Sequence, residues 1–258
     1  MERTLTMMKM MVTICGLLSM IVDLHDTVEV VPLSMVEDSV DDQYLGCEEK
    51  MFSKVVKTSL ENEINILDLK KIWTNGKNQV KVPKLTTDHT RALIAYATNN
   101  GMAAKLRIAT QTSGGSRKNY QDKFKFKALH FLLTHALRLM KPDRCQQVFR
   151  GSPHLFVARE NELVRFGYFT STSLEENQAK KFGKETVFHI HTCKGVNIEQ
   201  FSENPQQKEV LIPPHEMFRV MSITENGESR KIQLMSTELS NNCYYFPSET
   251  PSRRMSIK

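Results

Sequence analysis

Residues 207–214 of the chain read Gln-Lys-Glu-Val-Leu-Ile-Pro-Pro. Glu209 is a lone carboxylate at the start of an apolar run, 210–212, that is typical of a strand, and two prolines close the run. Two more short β-prone runs precede it in the chain, at 148–151 and 169–173. Each of the three runs carries a polar side chain of a kind that can hold a nucleotide.

These polar side chains are Arg150, Ser171 and Glu209, in that order on three predicted strands. A guanidinium can clamp an anion through a planar pair of hydrogen bonds. A hydroxyl can position a sugar, and a fixed carboxylate can stabilise positive charge that develops on a sugar carbon. The set would suit the cleavage of a nucleotide–sugar bond. For each side chain, the alternative is an ordinary surface or strand residue.

The neighbours of these residues extend the expected site. Ser173 lies two residues after Ser171, so both side chains face the same side of a strand. Gly151 has no side chain and would let a ligand approach the backbone. Gln207 lies two residues before Glu209 and would share its face on an extended strand, where its amide can bind an acceptor or a water but cannot act as a general base.

The composition indicates a globular protein of 258 residues that is 40% hydrophobic and carries a net charge of +6. A basic protein favours anionic partners. The basic residues are scattered, however, and the densest patch is only Lys123, Lys125 and Lys127. We therefore expect no nucleic-acid partner.

Both ends of the chain indicate export. Arg3 and Lys9 precede an apolar run at 10–22 that is too short to span a bilayer, so we expect a signal peptide over 1–24 and no transmembrane span. An uncleaved anchor or a buried helix is the alternative. A loose acidic segment is expected over 25–46. A polar tail over 244–258 lacks the apolar end of a lipid-anchor signal, which predicts a secreted, extracellular protein.

Cysteine usage agrees with an oxidising compartment. Cys15 lies in the expected signal peptide, and an even number of cysteines remains to form two disulfides in one of three connectivities: Cys47, Cys145, Cys193 and Cys243. If the signal peptide were absent, free buried thiols would be expected instead. No Cys-x-x-Cys occurs, and His189 and His191 share a strand face without a third ligand, so we expect no metal.

Apolar spacing predicts helices in the first half of the chain and short strands in the second. The predicted helices cover 51–72, 87–99, 102–111 and 122–140, with a helical insert at 174–182. The predicted strands cover 147–151, 168–173, 187–191, 210–212, 217–224 and 231–235. This order predicts the α+β class, with a helical part packed on a largely antiparallel sheet system.

Five segments together resemble the vertebrate ecto-ADP-ribosyltransferases of the arginine-specific type. They are Ala95-Tyr96-Ala97, the run Phe-Lys-Ala-Leu-His-Phe-Leu-Leu at 126–133, Val-Phe-Arg-Gly at 148–151, Phe-Thr-Ser-Thr-Ser at 169–173 and Glu-Val-Leu-Ile-Pro-Pro at 209–214. The resemblance implies an ADP-ribosyltransferase domain over 47–243, with a helical N-terminal part packed on two β-sheets that form an NAD cleft. It implies NAD as co-substrate and the disulfides Cys47–Cys243 and Cys145–Cys193. We expect a monomer.

The resemblance also implies a catalytic triad of Arg150, Ser171 and Glu209. NAD contacts are expected from Arg150, Gly151, Phe169, Ser171 and Ser173, with an aromatic of the 166–169 run either stacked on nicotinamide or packed in the core. The family motif is Glu-x-Glu, and its first glutamate is associated with recognising an arginine acceptor. Gln207 replaces that glutamate in this chain.

The expected activity is transfer of ADP-ribose from NAD to a protein side chain, arginine or another nucleophile. Because Gln207 departs from the motif, NAD hydrolysis is the rival expectation. A catalytically silent binding protein of the same fold is the third.

Overall fold

The structure is a computed structural model that describes residues 28–75, 80–98, 101–226 and 229–237. Helices fill the first half of the described chain, and most strands lie in the second half, as predicted for the α+β class. The helices are α1 Glu48–Lys50, α2 Lys57–Ile66, α3 Lys70–Asn75, α4 Thr87–Ala97, α5 Met102–Thr112, α6 Arg117–Lys123, α7 Lys127–Met140 and α8 Glu176–Ala179. A π-helix, Met51–Val56, joins α1 to α2.

The predicted helix over 51–72 is divided in two. It ends at Ile66, and Asp68 has a φ of 54° before α3 begins at Lys70. Leu67 and Leu69 on either side of Asp68 are both buried in the helical core. The left-handed conformation of Asp68 interrupts the helix, and it allows the leucines on both sides of the break to point into the same core.

Helix α4 begins at Thr87, the first residue of the predicted helix. Thr86 is its N-cap and forms a capping box with His89, with hydrogen bonds in both directions. Gly101 is the N-cap of the next helix, α5. Its φ of 78° places it at the start of α5, where a residue without Cβ adopts the left-handed conformation at little cost.

Helix α7 covers 127–140 rather than the predicted 122–140, because α6 ends at Lys123 and an extended link separates the two. Glu63 of α2 caps the start of α7: its carboxylate accepts hydrogen bonds from the backbone N–H groups of Ala128 and Leu129, each at 2.9 Å. Burial raises the pKa of Glu63 to about 7, and the two backbone hydrogen bonds oppose that shift.

The strands form one eight-stranded mixed sheet and a separate parallel pair, β1 with β3. The order in the large sheet is β4-β9-β10-β6-β2-β5-β8-β7, and only β6 and β10 run parallel in it. The bounds are β1 Val30–Pro32, β2 Gln146–Ser152, β3 Leu155–Val157, β4 Leu163–Val164, β5 Thr170–Ser173, β6 Thr186–Thr192, β7 Val196–Asn197, β8 Glu209–Ile212, β9 Met217–Asn226 and β10 Ser229–Thr237.

The large sheet is nearly divided between β2 and β5, which pair at one position only, Phe149 opposite Ser173. Five strands lie on one side of this seam and three on the other. The two sheets expected around the cleft are therefore two halves of one hydrogen-bonded sheet. The seam places β2, which carries Arg150, beside β5, which carries Ser171.

The three-stranded half lies between two apolar cores. Phe169 and Leu211 belong to the core formed with the helices, whereas Val210 and Ile212 belong to the core of the sheet. Alternate residues of β8 thus face opposite cores, as the pleat requires. Glu209 shares the face of Leu211, so its side chain lies on the helical side.

The segment before residue 47 is not loose over the part that the structure describes. Val40 and Tyr44 are buried in the helical core at 1% and 0% exposure. The buried guanidinium of Arg165 binds the carbonyls of Met35 and Val36 and the carboxylate of Asp41. Acidic composition predicted a solvated segment, but a buried arginine and two apolar anchors fix it to the domain.

Cys145 and Cys193 form a disulfide, as predicted, between the start of β2 and the end of β6. Cys243 lies outside the described residues, so its pairing with Cys47 stays a prediction. The signal peptide over 1–24 and the tail over 244–258 also lie outside them. None of the helices in the described ranges has the length and apolar character needed to span a bilayer.

Candidate active site

Arg150 reaches across the seam of the sheet to the serine strand. Its Nη1 donates to the backbone carbonyl of Ser171 at 2.8 Å, and its Nη2 donates to the hydroxyl of Tyr168 at 3.5 Å. The Nε atom is buried and has no hydrogen-bond partner among the described residues. One donor of the guanidinium group is therefore left for a group that the protein itself does not supply.

Ser171 and Glu209 share a face of the three-stranded half-sheet. In the β5–β8 register, Ser171 pairs with Leu211 and Ser173 pairs with Glu209. Residues opposite each other in an antiparallel pair point to the same side of the sheet, and so do residues two apart on one strand. The predicted Arg150, Ser171 and Glu209 are thus brought together at one place.

Glu209 is a carboxylate without an ionic partner. Within the described ranges it forms no salt bridge within 4.0 Å, and the Ser171 hydroxyl is the polar side chain that acts on it. Burial raises the pKa of Glu209, and the nearby Ser171 hydroxyl opposes that shift. A partly buried, unpaired carboxylate is a site prepared for a cationic ligand.

Tyr96 of α4 lies near this pair and was named before only as part of a segment that carries the family resemblance. Its hydroxyl donates to the backbone carbonyl of Phe169 at 2.8 Å. Burial raises the pKa of Tyr96, the Ser171 hydroxyl lowers it, and the charges of Glu209 and Arg150 both act on it. A tyrosine on an apolar helix face was the available signal, since a buried hydroxyl needs a hydrogen-bond partner.

Gln207 is not on the strand, which corrects the expectation that it shares the face of Glu209. It ends a 3-10 turn, Pro205–Gln207, and Lys208 follows in the left-handed region with φ 46° and ψ 51°. An extended strand alternates its side chains with a period of two, and this conformation interrupts that period. Sequence spacing alone could not reveal it.

Ser173 anchors this turn. Its hydroxyl donates to the backbone carbonyl of Gln207 at 2.7 Å and accepts from the backbone N–H of Glu175 at 3.0 Å. The backbone N–H of Leu174 also donates to the carbonyl of Lys208 at 3.1 Å. Ser173 was predicted to contact NAD; the observed hydrogen bonds give it a structural role beside the site, and the NAD contact stays a prediction.

Two other predicted NAD contacts have structural explanations. A Cβ at Gly151 would lie 2.4 Å from the carbonyl oxygens of both Ala179 and Gly183, so the close approach at this glycine is made by the protein's own backbone. Phe169 is only 4% exposed and packs edge-on against Tyr96 at 6.0 Å between ring centroids. Phe169 is therefore a core residue, and stacking on nicotinamide is not open to it.

Tyr168 belongs to the 166–169 run, whereas two further side chains at or near the site, Arg107 and Phe182, were not predicted. Tyr168 holds the guanidinium carbon of Arg150 at 6.0 Å from its ring centroid and that of Arg107, from α5, at 5.1 Å. Phe182 is 58% exposed and ends the turn Lys180–Phe182. The residues on either side of this turn, Ala179 and Gly183, pack on Gly151. An exposed aromatic beside β2 is a signal that only the structure supplies.

One candidate metal-ligating cluster lies in the described ranges, and it consists of Cys145, His191 and Cys193. Its two cysteines form the disulfide, and zinc requires thiolate sulfurs. His189 lies 3.4 Å from the carboxylate of Glu176 instead.

The chain matches the family model described as NAD:arginine ADP-ribosyltransferase over residues 33–242. It is 35% identical over 242 residues to mouse (Mus musculus) Ecto-ADP-ribosyltransferase 5, covering 86% of this chain and 78% of that protein. It is 36% identical over 215 residues to chicken (Gallus gallus) NAD(P)(+)--arginine ADP-ribosyltransferase 1, covering 79% and 69%. A GPI-linked mouse enzyme of the same kind is 35% identical over 237 residues, covering 83% and 73%.

Solved structures of the eukaryotic mono-ADP-ribosyltransferase ART2.2 share the fold. A variant in complex with NADH superimposes with a TM-score of 0.69 at 32% identity, covering 82% of this chain and 97% of that one. A variant in complex with NAD gives a TM-score of 0.70 at 31% identity, with the same coverage of both chains. The predicted ADP-ribosyltransferase fold is confirmed.

Proposed function

The chain belongs to the NAD:arginine ADP-ribosyltransferase family, and from that premise we propose that it cleaves the nicotinamide–ribose bond of NAD and transfers ADP-ribose to a protein side chain. The observation that carries the proposal is the carboxylate of Glu209. It is partly buried, forms no salt bridge in the described ranges and lies beside the Ser171 hydroxyl, next to the seam that Arg150 crosses. Such a group is matched to positive charge.

Glu209 stabilises the charge that bond cleavage creates. The electron pair of the glycosidic bond leaves with nicotinamide, which departs as a neutral molecule, and the ribose carbon takes up the positive charge. A carboxylate that is already in place stabilises that carbon without a cost of reorganisation. The acceptor nucleophile then forms the new bond at the same carbon and loses a proton.

Arg150 and Ser171 orient the dinucleotide. Arg150 already spends one donor on the Ser171 carbonyl, and its unpaired Nε can bind a phosphate or ribose oxygen. The Ser171 hydroxyl lies near both Glu209 and Tyr96, so it can hold the carboxylate against the ribose. Phe182, not Phe169, is the exposed aromatic of this region and the one we assign to contact with nicotinamide.

Hydrolysis of NAD is the second candidate, and Gln207 favours it. The neutral amide of Gln207 accepts a hydrogen bond but cannot take the proton that an arginine acceptor must lose. Water needs less help from this position, because it enters as a small neutral nucleophile. We keep arginine as the proposed acceptor, with hydrolysis as a competing outcome. A catalytically silent binding protein is the third alternative.

Incubation with NAD labelled in its adenylate half separates these candidates. Nicotinamide release, free ADP-ribose and labelled protein are measured together, with agmatine as a small arginine-like acceptor. We expect wild type to release nicotinamide, and Glu209→Gln to lose roughly 10²–10³-fold of that rate. Glu203→Gln, an exposed carboxylate on the preceding loop, is the matched control and should keep the rate. No release by wild type under any acceptor condition would favour the binding protein.

The location of the protein is proposed from the same family membership. We propose an extracellular monomer that acts on protein acceptors and binds no nucleic acid. Its similarity to mouse proteins named as ecto- and GPI-linked enzymes and the disulfide Cys145–Cys193 support an oxidising location. Detection of the full chain in culture medium, with the disulfide intact by mass spectrometry, tests this location.

A further inference from the structure

Two arginines from different halves of the molecule meet at one aromatic ring. Arg107 comes from α5 of the helical half, and Arg150 comes from β2 of the sheet. Their guanidinium carbons lie 5.1 Å and 6.0 Å from the ring centroid of Tyr168. Tyr168 itself is buried in the core of the sheet, so the ring is fixed and both cations converge on it.

Neither cation is neutralised by the protein. In the described ranges, no carboxylate lies within 4.0 Å of either guanidinium group, whereas five other arginines form such pairs: Arg91, Arg138, Arg159, Arg165 and Arg230. Arg150 also has a buried, unpartnered Nε. Two like charges at one ring repel each other unless an anion lies between or beside them.

Packing does not require Arg107. Its side chain is exposed, and the buried face of α5 is formed by Met102, Leu106 and Thr110. The guanidinium group therefore rests on Tyr168 at the rim of the site without supporting the core. A planar fork of donors held on an aromatic face is well suited to a phosphate group.

We propose that Arg107 is a phosphate-binding residue of the dinucleotide site and that it works with Arg150 across the ring of Tyr168. This inference rests on the proposed function. The phosphate has two sources, the bridging pyrophosphate of NAD and NADP or the 2′-phosphate that only NADP carries. In either case Arg107 contributes to the binding of the co-substrate and takes no part in the bond that breaks.

Binding of uncleavable products tests the assignment. ADP-ribose, ADP-ribose 2′-phosphate and adenosine are titrated by calorimetry into wild type, Arg107→Gln and Lys105→Gln. Lys105 is exposed on the same helix two residues away, so its side chain points to a different side while its loss changes the net charge equally. Thermal unfolding of each variant shows that the fold is kept.

We expect Arg107→Gln to weaken the binding of one or both phosphorylated ligands about 10-fold, Lys105→Gln to weaken it less than about 2-fold, and adenosine binding to stay unchanged in both. An equal loss for both phosphorylated ligands assigns the pyrophosphate. A loss confined to ADP-ribose 2′-phosphate assigns the 2′-phosphate. Both results support a phosphate contact.

Equal small losses in Arg107→Gln and Lys105→Gln would overturn the inference, because they would show only the general effect of positive charge. An equal loss of adenosine binding would overturn it as well. These results leave the proposed function intact if wild type still cleaves NAD. If wild type neither binds ADP-ribose nor cleaves NAD, the inference and the proposed function fail together.

Discussion

Glu209 carries its charge in surroundings that disfavour it. Burial raises its pKa, and the Ser171 hydroxyl only partly opposes the shift. An acid whose pKa is higher in the folded than in the unfolded state lowers the stability of the fold once it ionises. Each unit of such a shift corresponds to about 1.4 kcal/mol. Burial suits the Glu209 carboxylate to a developing cation, and the same burial therefore lowers the free energy of unfolding once the carboxylate is ionised.

Replacement of Glu209 by glutamine should stabilise the protein near neutral pH while abolishing activity. Below the unfolded-state pKa, about 4.3, the carboxyl is protonated in both states and the stabilisation is absent. It should grow as the pH rises above the unfolded-state pKa and be complete above the raised folded-state pKa. Melting temperatures of wild type and Glu209→Gln between pH 4 and pH 8 measure it. If the difference in melting temperature between Glu209→Gln and wild type does not widen as the pH rises, burial of the charged carboxylate does not destabilise the fold.

We expect Gln207 to influence what happens to the ribosyl cation after nicotinamide has left. We expect Gln207→Glu to raise the ratio of agmatine adduct to free ADP-ribose on the order of ten-fold, because a carboxylate can bind the guanidinium and take its proton. Gln206→Glu adds the same charge one residue earlier, at an exposed position, and should leave the ratio unchanged. If both variants keep the wild-type ratio, acceptor choice is not made at this turn.

At the scale of single elements, α7 depends on a contact that its own sequence does not contain. The helix begins at Lys127 without a side-chain cap from its N-cap residue, and the carboxylate of Glu63 on α2 takes that place. A carboxylate at a helix N-terminus satisfies unpaired N–H groups and complements the helix dipole. The two helices are thereby joined in one orientation.

Removal of this cap should be costly. We expect Glu63→Ala to lower the free energy of unfolding by about 2–4 kcal/mol, because two buried N–H groups lose their acceptor. Glu61→Ala removes an exposed carboxylate from the same helix and should change stability by less than about 0.5 kcal/mol. Urea denaturation compares the two variants. Equal unfolding free energies would show that the cap contributes nothing.

At the scale of the whole molecule, Tyr96 connects the helical half to the catalytic strand. Its hydroxyl on α4 holds the Phe169 carbonyl just before β5 and lies near Ser171. Phe169 in turn packs between Tyr96 and His130 of α7, with ring centroids 6.0 Å and 5.1 Å away. The position of the serine therefore depends on helices that contribute no catalytic group.

Tyr96→Phe tests this connection, because it removes the hydroxyl and keeps the ring. We expect a fall in kcat of about 10-fold with little change in KM for NAD, and a loss of about 1 kcal/mol of stability. Tyr120→Phe removes another buried hydroxyl, which contacts Tyr44 at 2.7 Å in the helical core, and should lower stability without lowering kcat. If Tyr96→Phe and Tyr120→Phe lower kcat equally, Tyr96 has only a structural role.

Local patterns predicted the elements better than their ends. The apolar runs at 148–151 and 210–212 correspond to β2 and β8, and Ser171 and Glu209 lie on a shared face because strands alternate their side chains. The predicted helix at 122–140 was too long, because Phe124 and Phe126 continue the apolar pattern through an extended link. Periodicity alone could not separate a buried link from a buried helix.

The sequence by itself determined the α+β class and the short runs that form β2, β5 and β8, which carry Arg150, Ser171 and Glu209, because these depend on residue type and local spacing. Only the tertiary structure decided which side chains surround them. The core excludes Phe169 from the ligand, Lys208 turns Gln207 out of the strand, and Arg107 reaches Tyr168 from a distant helix. Contacts between segments far apart in the chain depend on how the elements pack, and no local pattern records that packing.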